Sequence, residues 1–332
     1  MALTEDPSEK QLEVHRPHTA AAGLEGVAVS MKRGVSQMGL NRTARTLAVI
    51  NQPEGFDCPG CAWPEEAPGE RKRIEFCENG VKAVAEEATT DRCGPEFFAE
   101  HSLDDLAGRT DYWLGQQGRL TTPMVKHPGD THYSPIGWDA AFDLIGSELG
   151  ALDSPDQAAF YTSGRTANET AFAYQLFVRS LGTNNLPDCS NMCHEATGVA
   201  LIDAIGLGKG SVRLRDFAKA DVIVLVGQNP GTNHPRMLGT LEDAKANGAR
   251  IITINPLPEA GLLRFKNPQR AKGVAGRGTA LSDLHLPIRI GADLALFQLW
   301  NRWLLDLEES RGGVFDRSFI DAHTHGYDEL ID

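Results

Sequence analysis

The sequence predicts an α/β fold in which a small cysteine-rich module precedes a doubly wound, largely parallel sheet. Two apolar runs, at 221–226 and 250–254, have the length of buried strands, and the segment between them has a helical pattern over 235–247. A strand, a helix and a strand in succession indicate a parallel crossover. Four cysteines lie ahead of this pattern in a stretch rich in turn-forming residues, which indicates a module organised by a metal.

Three segments are predicted along the chain. Residues 1–45 lack a sustained apolar period and mix proline, glycine and charged residues, so we expect an extended or partly ordered arm. Residues 46–131 form the cysteine-rich module. Residues 132–332 form the α/β domain, because apolar runs and amphipathic segments alternate there. A chain of 332 residues is long enough for two or three such units.

The α/β segment is predicted to continue beyond the two strands that define it. A final amphipathic helix over 293–307 places its large apolar side chains on one side, which predicts that it packs in the core. The other predicted elements are a strand at 158–162, a loop at 163–166, a helix at 168–181 and a helix at 195–205. The apolar side chains of the final helix are Leu296, Leu299, Trp300, Trp303, Leu304 and Leu307.

Composition excludes some classes of partner. The formal charge of -13 argues against binding to a nucleic acid, because such proteins gather Lys and Arg into a positive surface. No run of about 20 apolar residues is present and residues 1–18 have no apolar signal core, so we expect a cytoplasmic protein without membrane insertion. Six cysteines are too few for a disulfide scaffold, and a C-x-x-C pair in a reducing compartment indicates metal or redox chemistry.

The pair Cys193-His194 is the strongest candidate for chemistry. It directly precedes a predicted helix, whose positive end favours the thiolate form that ligates metals. The adjacent imidazole can move a proton near neutral pH. For this pair taken alone, a buried structural thiol beside a hydrogen-bonded histidine is the alternative.

Polar loops follow three of the predicted strands, at 163–166, 227–234 and 255–258. Ligands of parallel sheets bind outside the carboxyl ends of the strands, and small residues with free backbone amides suit phosphate. Each loop alone is also explained by the tight turns that Gly and Asn favour. Three together favour a nucleotide-like ligand. No Gly-x-Gly-x-x-Gly or Walker sequence is present, so the common NAD and ATP fingerprints are missing.

Read together, these motifs resemble those of the molybdopterin-dependent, formate dehydrogenase-like oxidoreductase alpha subunits. The similarity runs from about residue 50 to the end of the chain. Its most specific part is the Cys193-His194 segment with the two strand and loop units after it. The motifs that carry it are Cys58-Pro-Gly-Cys61, Cys77-Glu-Asn-Gly80, Ser163-Gly-Arg165, Asn184 through His194, Gly227-Gln-Asn-Pro230 and His234-Pro235.

The resemblance implies roles for these residues. Cys193 would ligate molybdenum, and His194 would assist when a proton or hydride leaves the substrate. The loops would hold bis(molybdopterin guanine dinucleotide), with Arg165 contacting a phosphate. The implied cofactor-binding residues are Ser163, Gly164, Arg165, Gly227, Asn229, Pro230, His234, Asn255 and Pro256.

The cysteine module resembles the family's 4Fe-4S domain, with Cys58, Cys61 and Cys77 as metal ligands. Glu65 stands where the third cysteine of the family would be, so the fourth ligand is Cys93, Glu65 or none. Zinc held by Cys58, Cys61, Cys77 and Cys93 is an alternative, because zinc accepts four thiolates. Asn79 stands where the family commonly has a lysine, with Lys82 nearby.

The resemblance implies a molybdenum-dependent oxidoreductase that passes electrons from a small substrate, with formate as the leading candidate, through a 4Fe-4S cluster to an acceptor protein. The choice between molybdenum and tungsten stays open. Chains of the family continue well beyond the length of this one, so we expect a C-terminally truncated domain. The rival hypotheses are a non-catalytic binding or assembly protein that keeps the fold, and a thiol redox protein that uses Cys58 and Cys61.

Overall fold

The computed structural model describes residues 16–61, 63–66, 69–70, 76–163, 166–187 and 192–331. Helices predominate, and the described strands form a three-stranded parallel sheet, a three-stranded mixed sheet and two strand pairs. The helices span Leu24–Leu47, Glu78–Glu87, Pro95–Glu100, Leu103–Ala107, Asp111–Gly115, Trp138–Gly150, Asn168–Ser180, Glu195–Ile205, Pro230–Asn233, Met237–Ala246, Ala260–Leu263, Ala271–Val274, Asp293–Arg311, Arg317–His323 and Tyr327–Ile331. The strands span Ala21–Ala22, Arg92–Cys93, Arg119–Leu120, Met124–Val125, Ser134–Pro135, Val222–Val226, Arg250–Ile254, Arg264–Lys266, Thr279–Ala280 and Leu284–Leu286.

The three-stranded parallel sheet, called the central sheet below, confirms the predicted crossover. Strand Arg250–Ile254 lies in the middle, with Val222–Val226 on one side and Leu284–Leu286 on the other. Helix Met237–Ala246 connects the first two strands, as the sequence predicts. The third strand was not predicted, because three residues with a histidine in the middle give no strand signal by themselves.

The central sheet is covered on one face in the part of the chain that the structure describes. Ile223 and Leu225 are buried, whereas Val222 and Val224 are exposed. A doubly wound sheet has helices on both faces, so that arrangement is not present in the described residues. The covered face packs on helix Met237–Ala246, and the buried core includes Leu241, Ala244, Ile251, Leu262 and Leu281.

A buried carboxylate ties the helix behind the central sheet to a smaller sheet beside it. Glu242 accepts hydrogen bonds of 2.7 Å from Asn267 Nδ2 and from Thr279 Oγ1, and the Arg270 guanidinium lies 3.4 Å away. A buried charge is tolerated when it is hydrogen-bonded and paired in this way. Helix Met237–Ala246 is therefore fixed against the loop that carries Arg270.

The N-terminal arm differs from its prediction, because Leu24–Leu47 is a helix, interrupted at Gly39, where φ is 71°. Gly26, Ser30 and Gly34 recur every four residues and form a narrow face of small residues. Ser30 Oγ donates a hydrogen bond of 2.9 Å to the Glu78 carbonyl, and a Cβ on Gly34 would lie 3.6 Å from Val81. The helix is thus stabilised by close packing on helix Glu78–Glu87, which an apolar periodicity does not reveal.

The N-terminal segment also joins the α/β part of the chain. Ala21–Ala22 pairs in parallel with Arg264–Lys266, which pairs antiparallel with Thr279–Ala280. The predicted segment boundaries near residues 45 and 131 remain predictions.

The predicted strand at 158–162 does not form a ladder in the described residues. One isolated bridge residue, Thr162, lies in this segment, and the Phe160 N–H donates to the Asn185 carbonyl at 2.9 Å. Pro187 follows two residues later and has no N–H with which to extend the pairing.

The final helix, Asp293–Arg311, has the predicted period but not the predicted core position. None of its residues is buried, and Leu299 and Trp303 are more than 60% exposed. An amphipathic face becomes core only where another element covers it, and no described element does so here. No helix in the described ranges is both long and apolar enough to cross a membrane.

Candidate functional site

Two predicted metal ligands, Cys58 and Cys77, meet at the beginning of helix Glu78–Glu87. Both are buried, and Cys77 is the residue that precedes the helix. A Cβ on Gly80 would lie only 3.2 Å from Cys58 Sγ, so glycine leaves room for this sulfur. The Gly80 and Asn79 backbone groups hydrogen-bond the Cys77 sulfur. Amide donors at a helix N-terminus suit a thiolate ligand.

Burial of Cys77 opposes its ionisation in the metal-free protein. Burial raises the pKa of the thiol to about 11, the hydrogen bond from Gly80 lowers it, and the negative charges of Glu78 and Cys58 raise it further. A neutral thiol is therefore the stable form of Cys77 near pH 7. A metal cation would supply the charge that a thiolate at this position needs.

The other predicted ligands do not join these two into a complete set. Cys61 is half-buried, and Cys93 is buried in a strand whose partner residue is Leu120. Within the described ranges, no group of three or more His, Cys, Asp or Glu side chains could hold a metal ion. Cys58 and Cys77 would supply two thiolates to an iron or zinc centre, and ligation by Cys61 and Cys93 stays a prediction.

Glu65, the alternative fourth ligand, is engaged elsewhere. Its two carboxylate oxygens accept hydrogen bonds from the two terminal nitrogens of Arg236, with Oε2 and Nη2 3.0 Å apart. The Glu65 side chain is only 20% exposed and the Arg236 side chain only 14%. Arg236 directly precedes helix Met237–Ala246, so Glu65 reaches from the cysteine module to the α/β domain.

The predicted catalytic pair lies beside a third predicted residue, His234. Cys193 and His194 are exposed and come directly before helix Glu195–Ile205, as predicted. His234 is half-buried, and burial lowers its pKa, with a smaller lowering from the nearby His194. The two imidazoles thus interact although they are 40 positions apart in the chain.

The loops after the first two strands of the central sheet are joined at their base. The Gly227 N–H donates to the Ile254 carbonyl at 2.8 Å, and Asn255 Nδ2 donates to the Gln228 carbonyl at 3.3 Å. Pro230 is buried, and Pro256 is exposed. The structure therefore brings together the two predicted loops that it describes in full.

The loop that contains Ser163 is described only in part. Its Thr166 N–H donates to the Ser163 carbonyl at 3.1 Å, which is the hydrogen bond of a tight turn. Gly164 and Arg165, the predicted phosphate contact, lie outside the described residues, so their role stays a prediction.

Two glycines allow a very close approach of backbone beside the Asn229 loop. A Cβ on Gly261 would lie 2.5 Å from the Gly231 nitrogen and 3.2 Å from the Asn229 side-chain oxygen. Such separations exclude any side chain at this position. The loop after the first strand and the short helix Ala260–Leu263 consequently meet without side chains between them.

A cavity of about 660 Å³ lies between the cysteine module and the α/β domain. Residues 76–79 and Lys82 form one wall, loop residues on either side of His234 form another, and the N-terminal segment contributes Ala20, Ala21 and Ala22. Lys82, Arg236 and Arg270 give the lining three cationic side chains, and Glu25, Glu78 and Glu259 give it three carboxylates. Its size and mixed polarity fit an organic cofactor.

Sequence reasoning missed part of this cavity. The sequence could have pointed to Arg236, because this residue directly follows the His234-Pro235 motif. Nothing in the sequence points to Arg270, because its position depends on its pairing with Asp243 and Glu242, which the fold creates. The N-terminal wall was missed because the arm was expected to be extended.

Comparison with known proteins identifies relatives of the chain. The sequence profile of the Molybdopterin oxidoreductase family matches residues 119–307. An uncharacterized oxidoreductase of Mycobacterium tuberculosis is 61% identical over 324 residues, 97% of this chain and 42% of that protein. Protein YdeP of Escherichia coli K12 is 44% identical over 320 residues, 94% of this chain and 42% of its own length.

A more distant relative has a named activity. The F420-dependent formate dehydrogenase 2 subunit alpha of Methanococcus maripaludis is 33% identical over 241 residues, 71% of this chain and 32% of that protein. The chain spans less than half the length of all three relatives. Because the family profile covers more than half of its residues, and two relatives match nearly all of it, the chain belongs to the molybdopterin oxidoreductase family.

Proposed function

We propose that this chain provides the cysteine module and a cofactor-binding domain of a molybdenum-dependent oxidoreductase of the formate dehydrogenase type. The observation that carries the proposal is the junction of the Gly227 and Asn255 loops at the carboxyl ends of two paired parallel strands, in a chain of this family. Its substrate is a small molecule, with formate as the leading candidate, and its redox partner is an electron-acceptor protein of the cytoplasm. The similarity to a formate dehydrogenase alpha subunit supports the substrate class.

Bis(molybdopterin guanine dinucleotide) is the proposed organic cofactor. Gly227, Asn229, Pro230, Asn255 and Pro256 would hold it at the carboxyl ends of the strands, and Ser163, Gly164 and Arg165 would complete the site. When bound, its metal supplies two-electron oxidation and reduction. The large cavity, which Asn229 lines, supports this use of the loop after strand Val222–Val226.

The chain's own residues would bind the metal and handle the proton. Cys193 donates a soft thiolate sulfur to the metal, and His194 accepts the proton that the substrate releases. The lowered pKa of His234 keeps that imidazole neutral at pH 7. A neutral neighbour does not repel a protonated His194, as a second cation would.

Cys58, Cys61 and Cys77 are the proposed ligands of a 4Fe-4S cluster that receives the electrons. The two buried sulfurs at the N-terminus of helix Glu78–Glu87 support an iron or zinc centre at this position. Cys77 lines the large cavity, which supports a centre next to the proposed cofactor.

Metal analysis of anaerobically purified protein from cells that make the pterin cofactor tests the proposal. We expect molybdenum, iron and acid-labile sulfide in the wild-type protein. Cys193→Ala should keep molybdenum and iron, because the pterin sulfurs and the other cysteines bind them, but it should change the electron paramagnetic resonance spectrum of molybdenum by removing a sulfur ligand. Met192→Ala is the matched control, since this neighbouring side chain is 71% exposed, and it should keep both metals.

Other results would contradict the proposal. A molybdenum spectrum of Cys193→Ala that matches the wild-type spectrum would exclude Cys193 as a ligand. Zinc without iron would show that the cysteines bind zinc and not an iron-sulfur cluster. A folded protein without molybdenum would favour a binding or assembly role. Formate that fails to bleach the visible absorption of the loaded protein would exclude formate as the substrate.

A further inference from the structure

The short segment from Trp63 to Glu65 connects two parts of the molecule. It follows Cys61 in the cysteine module, and its contacts are with the α/β domain. Glu65 pairs with Arg236, which lies 171 positions further along the chain. This segment is the place at which the family pattern would put a third cysteine ligand.

Trp63 anchors the beginning of the segment in the core of the α/β domain. Its ring lies edge-on to Phe217, with the centroids 5.7 Å apart, and 6.1 Å from the His234 ring. Its indole N–H donates to Thr240 Oγ1 at 3.3 Å, on helix Met237–Ala246. A tryptophan held by ring contacts and by a hydrogen bond fixes both the position and the direction of the chain.

Glu65 secures the other end of the segment. A guanidinium that holds both oxygens of a carboxylate fixes its orientation as well as its distance. The pair is mostly buried, so a Glu65 that turned away to ligate a metal would break both hydrogen bonds of this two-point contact at a mostly buried site. The geometry therefore opposes a ligand role for Glu65.

We propose that residues 63–65 are a latch that fixes the cysteine module on the α/β domain, with Glu65 as a positioning residue and not a metal ligand. Arg236 is the partner that receives the latch. Because the Trp63 ring also lies beside His234, the latch fixes the cysteine module relative to this predicted cofactor-binding residue. The latch is formed by side chains alone and does not require the proposed cofactors.

A charge-reversal cycle tests the latch on the purified chain. Glu65→Arg and Arg236→Glu should each lower the thermal unfolding midpoint by about 4 °C or more, since each places two like charges at a mostly buried site. The double variant restores opposite charges and should return to within about 2 °C of the wild-type midpoint. Arg302 and Asp306, an exposed pair on helix Asp293–Arg311, provide the control, and Asp306→Asn should leave the midpoint unchanged.

A second measurement separates the latch from a ligand role. Glu65→Gln keeps the side-chain shape and removes its charge, so we expect a lower midpoint with the same iron and acid-labile sulfide per chain as the wild type. Iron that falls in Glu65→Gln would identify Glu65 as a ligand and overturn the proposal. A double reversal whose midpoint is as low as the sum of the two single changes would also overturn it, whether or not the protein binds iron.

Discussion

At the scale of single residues, Asp283 joins helix Met237–Ala246 to the middle strand of the central sheet. Its oxygens lie 2.6 Å from Lys245 Nζ, at the end of helix Met237–Ala246, and one of them accepts the Ile251 N–H at 2.7 Å. The hydrogen bond from Lys245 lowers the pKa of this carboxyl most, and the one from the Ile251 backbone contributes to the lowering. One side chain thus holds a helix end to the middle strand.

The lowered pKa of Asp283 predicts a pH-dependent contribution to stability. A carboxyl whose pKa is lower in the folded protein stabilises it above the unfolded pKa, and the contribution is lost as the pH falls through the folded pKa. Asp283→Asn should therefore reduce the free energy of unfolding by about 1 kcal/mol at pH 7, and the reduction should shrink as the pH falls through the lowered pKa of the folded protein. Urea unfolding of both proteins across a series of acidic pH values checks this, and a loss that stays constant with pH would refute the ionic contribution.

At the scale of elements, the beginning of helix Glu78–Glu87 depends on one glycine. A Cβ on Gly80 would lie 3.1 Å from Asn51 Nδ2 and 3.2 Å from Cys58 Sγ. Asn51 also accepts the Cys58 N–H at 2.9 Å, so the same contact positions the backbone of the proposed ligand. Glycine is therefore required here because a larger side chain would not fit beside the sulfur, and not because the backbone needs its flexibility.

Gly80→Ala should destabilise the chain by about 1 to 3 kcal/mol, because the added methyl displaces either Cys58 or Asn51. We also expect faster reaction of the Cys58 thiol with a thiol reagent. Gly146→Ala in helix Trp138–Gly150 is the matched control: its Cβ meets nothing within 4 Å, so it should be neutral or stabilising by up to about 1 kcal/mol. Thermal unfolding of both variants tests this prediction, and equal unfolding midpoints for Gly80→Ala and Gly146→Ala would contradict the packing role.

The elements that sequence predicts correctly are those whose pattern is local. Strands Val222–Val226 and Arg250–Ile254 are continuous apolar runs, and their helix has its own period, so their parallel pairing follows. Helix Leu24–Leu47 was missed because a face of Gly and Ser is stabilised only by its partner helix. The same limit applies to the site: the loops were predictable, whereas the pairing of Glu65 with Arg236 depends on contacts between distant segments.

At the scale of the whole molecule, much apolar surface is exposed in the described residues. A cavity of about 440 Å³ between helices Trp138–Gly150 and Asn168–Ser180 is lined by apolar side chains. Ile145 in this lining is 53% exposed. Large exposed apolar patches bind other apolar groups, whether on a ligand, a partner or another copy.

This surface predicts binding of an apolar fluorescent dye by the folded chain. Ile145→Lys should reduce the fluorescence of bound 8-anilinonaphthalene sulfonate roughly two-fold, because it places a charge in the apolar cavity. Leu40→Lys is the control, since Leu40 is 74% exposed and does not line the cavity, and it should leave the signal unchanged. Equal signals from the two variants would show that the dye binds elsewhere.

The pairing of Ala21–Ala22 with Arg264–Lys266 has a consequence for synthesis on the ribosome. The two partners are about 240 positions apart, so at roughly 5 to 20 residues per second the first strand waits tens of seconds for its neighbour. Helix Leu24–Leu47 can pack on helix Glu78–Glu87 much earlier, because their separation is short. The nascent chain thus packs these two helices first, and its N-terminal strand closes the wall of the large cavity only after residues 264–266 have been synthesised.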